Sequence, residues 1–473
     1  MAFKPGVHTP TIFIVLGATG DLMARKVLPA LFNLFETGRL PARFQVVGFS
    51  RRELTTAAFQ KYVEDILLTH KDIRPKRTAR KKFIKAIQYV QGNFDGERDY
   101  ERLAKKLAEI DKQWGICSSK LFHLAVPPHL YETILKQLAR SGLTKGCGPD
   151  GGWMKVIVEK PFGKNFETAE KLDTLLGTLF REGQIYRIDH YLGKAMIHNI
   201  LAFRFSNKLF EEGWDRDSIE QIRIRLLENL GVKDRGAFYD GIGALRDVGQ
   251  NHMLQMLALT TMDPPQEFSA AGIRRKRYEL LSTLRPFTRA AIRAQTSRGQ
   301  YQGYSKIKGV AAGSKTETFF KINLELDAPR WRGVPITLTS GKSMGRNEKD
   351  ITIVFKHPTP CLCPARSPHT FRNEVVFEIE PEESIRIRFW AKKPGLTMEL
   401  EEREFYLPYH EKRVSRVEEY AKLLYDCIAG DQTLFVSTGE VQAMWRFIDP
   451  IVRAWQKNLV PLAYYKSGQP PKL

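Results

Sequence analysis

The chain has 473 residues, of which 42% are apolar and 27% are charged, a composition typical of a soluble globular protein with two or three domains. No apolar run reaches the ~18–20 residues that a membrane-spanning helix needs, and residues 1–6 lack the apolar stretch and cleavage site of a secretory signal. Lysine and arginine outnumber aspartate and glutamate by 74 to 53, which gives a formal net charge of +21.

This charge would attract anionic partners such as nucleic acid, membrane surfaces or phosphorylated small molecules. The densest basic run lies within residues 71–85, and a shorter one covers residues 274–277. Neither run is interleaved with aromatic residues or belongs to a nucleic-acid-binding motif. Both are therefore interpreted as solvated helix faces, and we expect neither a specific nucleic-acid partner nor a membrane partner.

The five cysteines are too few for a disulfide framework in a chain of this length. Cys361 and Cys363 stand close together but lack the second cysteine or histidine pair of a zinc site. We therefore expect no metal centre, and a reducing cytoplasm fits the cysteine content best.

The first element predicted along the chain is a strand at residues 11–16, a short apolar run of the kind that is buried on both faces of a parallel sheet. Gly17 and Gly20 follow directly, and residues 23–35 then predict a helix. A strand, a glycine turn and a helix are the start of a dinucleotide-binding fold, in which the glycines let the backbone approach a pyrophosphate. The third glycine of the full fingerprint is absent, so an ordinary tight turn remains an alternative.

A second strand is predicted at residues 44–49, and Ser50 and Arg51 follow it. An NAD site usually places an acid near the end of this strand to bind the ribose 2′-hydroxyl, whereas an arginine there can bind the 2′-phosphate of NADP. No acid occurs before Glu53, so the sequence favours NADP. The alternative is that Arg51 is only a surface arginine.

Two further strands are predicted at residues 121–126 and 156–158. The second runs into Glu159 and Lys160, and open α/β sheets bind their ligands at the carboxyl ends of strands. Lys160 is therefore expected at a ligand site, where its ammonium can hold a substrate oxygen. A salt bridge between Lys160 and Glu159 is the competing interpretation.

Residues 187–194, which follow a helix predicted at 166–182, read Arg-Ile-Asp-His-Tyr-Leu-Gly-Lys. This short segment combines an acid, a histidine, a phenol and a lysine, which can together bind a phosphorylated substrate and orient a catalytic base. Farther along, His252 precedes an apolar helix, where a lone histidine is more often a core or cap residue. If Asp189 lies beside it, the carboxylate would hold its tautomer, and an imidazole that titrates near pH ~6.5 suits a general base.

Beyond this segment the pattern changes to an alternation of apolar and polar residues, which predicts an antiparallel sheet with one covered face. The predicted strands are residues 219–228, 319–326, 351–355, 375–379 and 385–389, and the predicted covering helices are residues 244–261 and 417–429. We thus predict an α/β plus α+β protein. It has a Rossmann-like dinucleotide-binding domain at residues 1–186 and a larger α+β domain with a mainly antiparallel sheet at residues 187–473. Residues 468–473 are expected to be disordered.

Taken together, these motifs resemble those of the glucose-6-phosphate dehydrogenase family. The matching segments follow the family's order over nearly the whole chain, and they are G-A-T-G-D-L-M-A-R-K (17–26), E-K-P-F-G (159–163), R-I-D-H-Y-L-G-K (187–194), R-D-V-G-Q-N-H (246–252), R-G-Q-Y (298–301), R-W-R-G-V-P (330–335) and G-D-Q-T-L-F (430–435). The E-K-P segment also occurs in other sugar oxidoreductases. The 187–194 segment with a downstream Q-N-H is highly specific.

The resemblance implies that the protein oxidises D-glucose 6-phosphate at C1 to 6-phospho-D-glucono-1,5-lactone and reduces NADP. This is the first step of the oxidative pentose phosphate pathway, and use of NAD remains open. The resemblance further implies a cytoplasmic homodimer or homotetramer. His252 would be the base that takes the C1-hydroxyl proton, and Asp189 would be its orienting partner.

The resemblance also implies which residues bind the ligands. The implied substrate-binding residues are His190, Tyr191 and Lys194 at the phosphate, Glu228, Asp247 and Lys342 at the sugar hydroxyls, and Lys160 between the sugar and the cofactor. The implied cofactor-binding residues are Gly17, Ala18, Thr19, Gly20, Asp21, Leu22, Lys26, Arg51, Asn93, Phe94 and Lys160. No metal ligand is implied.

Four positions depart from the family's pattern. Ala195 stands where glutamate is usual, and Thr339 stands where arginine is common. Asn347 replaces a frequent basic residue, although Arg346 and Lys349 are near. Glu380 stands where some members carry glutamine or a similar polar residue near the cofactor-side strands. None of these positions is expected to touch the base, so we expect activity and leave substrate affinity open.

Two alternative functions were compared with this one. A catalytically silent relative that acts as a binding or assembly module would have lost His252, Asp189 or Lys194, and all three are present. An oxidoreductase acting on a non-phosphorylated sugar would not need His190 together with Lys194, because both side chains suit a phosphate.

Overall fold

The computed structural model describes residues 9–71, 73–146, 151–362, 372–409 and 416–471. Some residues on which the sequence predictions relied lie outside these ranges, namely residues 1–6, Cys147, Cys363 and the last two residues of the tail. The tail is hydrogen-bonded where it begins, because the backbone N–H of Gly468 donates to the carbonyl of Ser343 at 2.8 Å.

The strands of the described residues are, in chain order, β1 Thr11–Leu16, β2 Phe44–Ser50, β3 Ile87–Gln91, β4 Ser119–Leu124, β5 Met154–Glu159, β6 Ile185–Ile188, β7 Ile219–Leu227, β8 Thr296–Tyr301, β9 Phe319–Leu324, β10 Ile336–Gly341, β11 Glu348–Phe355, β12 Glu374–Glu380, β13 Ser384–Lys392, β14 Leu400–Pro408, β15 Phe435–Val436 and β16 Leu462–Tyr465.

The α-helices of the described residues are α1 Leu28–Glu36, α2 Thr56–Thr69, α3 Arg77–Lys85, α4 Glu97–Trp114, α5 Tyr131–Arg140, α6 Phe166–Leu179, α7 Ala195–Phe205, α8 Lys208–Glu211, α9 Gly236–Tyr239, α10 Leu254–Thr261, α11 Ala270–Leu281, α12 Arg289–Gln295, α13 Arg416–Ala429 and α14 Thr438–Gln456. Two π-helical segments, Met23–Val27 and Leu245–Met253, lead directly into α1 and α10.

The N-terminal sheet is the predicted dinucleotide-binding fold. Among the described residues it has seven strands in the order β15-β6-β5-β4-β1-β2-β3. The strands from β6 to β3 are parallel, and the short β15 joins the β6 edge in the antiparallel direction. Every residue of β1 is buried, as expected for a strand covered on both faces. The strand order reverses between β1 and β4, and ligands of such sheets bind at this reversal, outside the carboxyl ends of the strands.

The C-terminal sheet is mainly antiparallel, which confirms the predicted fold class. Its nine strands among the described residues follow the order β14-β13-β12-β11-β7-β10-β9-β8-β16. Only the pairs β7–β10 and β8–β16 are parallel within this described set. Strands β8, β10, β14 and β16 were not predicted from the sequence.

Local signals define the ends of several helices. The Asn165 side chain accepts a hydrogen bond from the backbone N–H of Thr168 at 2.9 Å and caps α6. That helix ends at Leu179, earlier than predicted, because Phe180 has extended backbone angles. Gly115 ends α4 in the left-handed conformation, with φ of 66°.

One apolar core runs through both sheets. It joins β1 and its neighbours to β7, β10 and β11 and to the helices between the sheets. A smaller apolar cluster beside the candidate site includes Leu227, Tyr239, Tyr301 and Tyr465. The two sheets are thus held by a continuous interior, which fixes the residues at their junction.

The cysteines differ in part from the sequence expectation. Cys427 is a free, buried thiol, whereas Cys117 and Cys361 are each disulfide-bonded. The cysteine content therefore does not by itself indicate a reducing compartment. Within the described ranges no helix combines the length and the apolar composition required to cross a membrane.

Candidate active site

The carboxyl ends of β5 and β6 bring two of the predicted residues together. The strands are parallel neighbours, with Glu159 beside Ile188, so Lys160 and Asp189 leave the sheet at the same edge. Glu159 does not pair with Lys160 but accepts hydrogen bonds from the Tyr420 hydroxyl and from Nε2 of the buried His123, the latter at 3.0 Å. The Lys160 ammonium points into the junction between the sheets, where it donates to the carbonyl of Asp247 at 3.1 Å.

His252 and Asp189 form a buried pair. Nδ1 of His252 is hydrogen-bonded to Oδ1 of Asp189, and each residue is only 1% exposed. The same carboxylate oxygen accepts the backbone N–H of Tyr191 at 3.0 Å. Asp189 therefore lies beside His252, as the hypothesis of a general base required, and its carboxylate can fix the orientation of the imidazole.

The other ring nitrogen of His252 carries the lone pair. Nζ of Lys160 lies 2.8 Å from Nε2 of His252, and a lysine ammonium can only donate. Nε2 therefore accepts, so the proton of the neutral ring is on Nδ1, facing Asp189. A base in this tautomer can take a substrate proton at Nε2 while Asp189 stabilises the imidazolium that forms.

Burial keeps the imidazole neutral at physiological pH. Burial lowers the pKa of His252 well below 6.5, and the nearby Lys160 charge lowers it further. Burial also raises the pKa of Asp189, and the charge of Lys160 opposes this effect. The imidazole of His252 can thus accept a proton without first losing one.

We expect kcat at saturating substrate to hold as the pH falls through ~6.5, the usual histidine value. Only unprotonated His252 can act as the base, so activity is present above its folded-state pKa and is lost as the pH falls through it. Because that pKa is lowered, the acid limb must lie below pH ~6.5. A pH profile of kcat checks this, and an acid limb centred above pH 6.5 would contradict the assignment. A substrate phosphate ionises near pH ~6, so kcat is a safer readout than KM.

The π-helical segment Leu245–Met253 supplies both His252 and Asp247. His252 lies within the helix predicted at residues 244–261, and in the structure this π-helical segment continues directly into α10. Asp247 lies 3.8 Å from both the Lys160 and the Lys342 ammonium groups. Burial raises the pKa of Asp247, but the charges of the two lysines outweigh this and hold it below the usual value.

The parallel pair β7 and β10 brings in two further predicted residues. Glu228 follows β7 and Lys342 follows β10, so their side chains meet at the carboxyl ends of the two strands. Nζ of Lys342 lies 2.8 Å from Oε2 of Glu228. Together with Asp247 they form a group of alternating charges beside His252, which can hydrogen-bond several hydroxyls of a sugar.

Tyr191 connects the base to a cluster of charges. Its ring stacks on the His252 ring, with 4.2 Å between centroids, and Nζ of Lys194 lies 5.5 Å from the Tyr191 centroid. His190 packs edge-on against His252, with 4.7 Å between centroids. Burial lowers the pKa of His190 well below its usual value, and the charge of Lys160 lowers it further.

Lys194 is held by two carboxylates. Its ammonium lies 2.8 Å from Oε1 of Glu380 and 2.9 Å from Oε1 of Glu419. The sequence prediction missed Glu419, which lies on α13 outside all of the matched motifs, so no local pattern pointed to it. Glu380 is one of the four positions that depart from the family's pattern. Among the described residues it is the one of the four that forms an ion pair with a predicted site residue.

The turn after β1 depends on a glycine at position 17. Gly17 has a φ of 98°, and a Cβ there would lie 2.4 Å from the carbonyl oxygen of Ala125. The backbone N–H of Gly20 donates to the Gly17 carbonyl at 2.9 Å, which closes the turn. Ala18 is fully buried behind it. This position therefore requires glycine, as a dinucleotide-binding turn does.

The remaining predicted cofactor residues border this turn. Arg51 is exposed at the end of β2, with its guanidinium 5.9 Å from the centroid of the Phe94 ring. Thr19 bonds Ser50 through their hydroxyls at 3.0 Å. Asn93, Asp21, Leu22 and Lys26 complete the predicted set at the ends of β3 and β1. All of these residues lie at the carboxyl edge of the sheet.

A metal ion does not fit the histidines of this site. Asp189, His190 and His252 have ligand atoms close enough together to hold one. The Lys160 ammonium, however, lies 2.8 Å from Nε2 of His252. Its charge would repel a cation there, so the three side chains suit proton transfer better than metal binding.

Family models match both halves of the chain. One described as "Glucose-6-phosphate dehydrogenase, NAD binding domain" matches residues 14–199, and one described as "Glucose-6-phosphate dehydrogenase, C-terminal domain" matches residues 201–472. The chain is 37% identical to glucose-6-phosphate 1-dehydrogenase 5, cytoplasmic, of Arabidopsis thaliana, over 98% of this chain and 90% of the relative. It is 38% identical to glucose-6-phosphate 1-dehydrogenase of Aggregatibacter actinomycetemcomitans, over 93% of this chain and 90% of the relative.

Solved structures agree over the whole fold. A glucose-6-phosphate dehydrogenase in complex with its substrate glucose-6-phosphate has a TM-score of 0.90 at 30% identity, covering 99% of this chain and 97% of the other. Glucose-6-phosphate 1-dehydrogenase from Mycobacterium avium has a TM-score of 0.83 at 29% identity, covering 98% and 95%. With these matches and both family models, the chain belongs to the glucose-6-phosphate dehydrogenase family.

Proposed function

We propose that the protein oxidises D-glucose 6-phosphate at C1 to 6-phospho-D-glucono-1,5-lactone with hydride transfer to NADP, the first step of the oxidative pentose phosphate pathway. The observation that carries this proposal is the buried His252, whose Nδ1 is bonded to Asp189 and whose Nε2 faces Lys160. Members of the family to which the chain belongs carry the same activity in their names.

The proposed chemistry assigns one task to each group near the base. His252 accepts the C1-hydroxyl proton at Nε2, and Asp189 stabilises the resulting imidazolium through Nδ1. The Lys160 ammonium, displaced from Nε2 by the substrate hydroxyl, holds a substrate oxygen. Asp247, Glu228 and Lys342 orient the sugar hydroxyls, and precise orientation of reactants lowers the barrier substantially.

The phosphate would lie at the other end of the site. His190, Tyr191 and Lys194 are proposed to bind it, and Tyr191 lies between Lys194 and the His252 ring on which it stacks. Because the phosphate is remote from C1, its binding energy can position the reacting carbon without taking part in the chemistry.

The glycine turn fits a dinucleotide, because Gly17, with a φ of 98°, makes a tight turn directly after β1 at the carboxyl edge of the parallel sheet. We propose that residues 17–22, Lys26, Asn93 and Phe94 hold the cofactor, with Arg51 on the 2′-phosphate. NADP, when bound, supplies the hydride acceptor. Lys160, which contacts His252 and Asp247 at the proposed sugar position, is proposed to contact both ligands.

An assay of the reduced nicotinamide tests the activity directly. The purified chain is mixed with glucose 6-phosphate and either NADP or NAD, and near-ultraviolet absorbance is followed. We expect turnover with NADP. A lack of turnover with both cofactors would refute the proposed function, and turnover of glucose at the rate of glucose 6-phosphate would favour a non-phosphorylated substrate instead.

Arg51→Ala should raise KM for NADP about fivefold, the equivalent of ~1 kcal/mol for an exposed charge contact. KM for NAD should not change, because NAD has no 2′-phosphate for the guanidinium to bind. Arg52→Ala is the matched control, since Arg52 is the adjacent arginine and lies over Tyr62 instead, at 6.0 Å from the ring centroid. Equal changes in KM for both cofactors would contradict the proposed role of Arg51.

We also propose that the protein is a homo-oligomer in the cytoplasm. Strand β14 lies at the edge of its sheet and exposes Phe405, Tyr406 and Leu407 by 60%, 47% and 54%, and an exposed apolar sheet edge of this kind marks an interaction surface. The Arabidopsis thaliana relative is named as cytoplasmic. Light scattering of the purified chain tests the assembly, and a monomeric mass would refute it.

The division into residues 1–186 and 187–473 is likewise a proposal. The two family models meet near residue 200, and β6 of the first sheet extends to Ile188. The proposed boundary lies just before the Asp189–Lys194 segment, at which the cofactor and substrate sites would adjoin.

A further inference from the structure

Glu380 lies between two buried lysines at the phosphate end of the site. Its Oε1 is 2.8 Å from Nζ of Lys194, and its Oε2 is 2.5 Å from Nζ of Lys349. Both ammonium groups sit on the Tyr191 ring, at 5.5 and 5.8 Å from its centroid. Each carboxylate oxygen thus takes one ammonium, which is how two oxygens of a phosphate would bind the same pair.

The four charges of this cluster cancel. Lys194 and Lys349 carry two positive charges, and Glu380 and Glu419 carry two negative ones. Burial raises the pKa of Glu380, but the charges of Lys349 and Lys194 outweigh it and hold that pKa below its usual value. Glu380 is therefore an anion at neutral pH, and an entering phosphate meets a neutral cluster rather than two free ammonium groups.

Glu380 is better placed than Glu419 to act on a bound phosphate. Glu419 contacts one lysine, Lys194, through a single oxygen, whereas Glu380 links both. Glu380 is at the end of β12 with its side chain 24% exposed, more than either lysine side chain at 7% and 11%. The carboxylate can therefore turn toward solvent when another anion takes its place, while the lysines stay.

We propose that Glu380 is a specificity-determining residue whose carboxylate occupies the anion position between Lys194 and Lys349 and competes with the substrate phosphate for both. Lys349 is then a second phosphate-binding cation. The affinity for the phosphorylated sugar then depends on how much more strongly the lysine pair binds the phosphate than it binds the Glu380 carboxylate. This inference rests on the proposed function, because it takes a sugar phosphate as the substrate.

Glu380→Gln removes the negative charge and keeps the size and hydrogen-bonding capacity of the side chain. We expect KM for glucose 6-phosphate to fall about tenfold with kcat changed by less than about twofold, because a like charge at contact distance is removed from the phosphate position only. Lys349→Met should move KM in the opposite direction, upward by about tenfold. Glu378→Gln is the control, since Glu378 is on the same strand but pairs with Ser384 and Arg386.

Binding of inorganic phosphate, measured by calorimetry on the same proteins, does not depend on turnover. It should tighten in Glu380→Gln and weaken in Lys349→Met relative to the unsubstituted chain. If the unsubstituted chain turns over glucose 6-phosphate but Glu380→Gln leaves both KM and phosphate binding unchanged, the inference is overturned while the proposed function stands. A rise of KM in both variants is a local disruption of the cluster and also overturns it. If the unsubstituted chain shows no turnover, the phosphate titration still decides whether Glu380 competes for the lysine pair.

Discussion

Replacing His252 with alanine should lower kcat by about 10²- to 10⁴-fold, the usual contribution of a positioned general base. The reason is geometric as well as chemical. His252 offers one nitrogen to Asp189 and the other to the junction between the sheets, and its lowered pKa keeps it unprotonated. Alanine leaves Lys160 and Asp189 without an acceptor between them, so no side chain there can take the C1-hydroxyl proton.

Steady-state kinetics with glucose 6-phosphate and NADP measure this effect. KM for the sugar should change little, because Lys194, Glu228 and Lys342 remain. His129→Ala is a suitable control, since His129 is an exposed histidine to which no role in proton transfer is assigned. An unchanged kcat in His252→Ala, with an unchanged unfolding temperature, would transfer the role of base to another group.

Replacing Lys194 with alanine should raise KM for glucose 6-phosphate about 10- to 100-fold, from the loss of a hydrogen bond to a charged group worth ~1.5–3 kcal/mol. We expect the increase in KM to be near 100-fold. Without its ammonium the carboxylates of Glu380 and Glu419 lose a shared partner, and their charges then repel the phosphate. The turnover number should change less than KM, because the lysine is remote from C1.

Glucose as the substrate supplies the internal control for Lys194→Ala. A sugar without a phosphate gains nothing from this lysine, so its kcat/KM should stay near that of the unsubstituted chain. Lys171→Ala serves as the matched surface control, because Lys171 is 74% exposed and pairs only with Glu167 on its own helix. Equal losses for glucose and glucose 6-phosphate would show that Lys194 does not bind the phosphate.

Much of the site could be predicted because its residues follow recognisable strand ends and glycine turns. Gly17, Lys160 and Asp189 are each the first residue after a strand of the N-terminal sheet. Because these strands are parallel, their carboxyl ends lie at the same edge of the sheet, where ligands bind. The fold class followed from the same signals, together with the alternation of apolar and polar residues in β7, β9 and β12.

The parts that could not be predicted depend on contacts between distant segments. Glu419 approaches Lys194 only because α13 folds back against the N-terminal half, and nothing in its own helix distinguishes it from a solvated acid. Strand β14 was missed because most of its side chains are exposed, so it has no buried face to produce a pattern. The direction of the Glu159 carboxylate was likewise set by His123 and Tyr420, which lie 36 and 261 residues away along the chain.

The position of β15 affects how the protein is made. This strand, Phe435–Val436, pairs with Arg187 and Ile188 of β6 and so covers an edge of the sheet that begins at Thr11. During synthesis the ribosome must deliver the chain as far as Val436 before that edge is covered, and an open edge is a site at which nascent chains aggregate. The segment that closes the sheet also follows α13, which carries Glu419 to Lys194. Completion of the first sheet and assembly of the phosphate-binding end are therefore late and nearly simultaneous events for the growing chain.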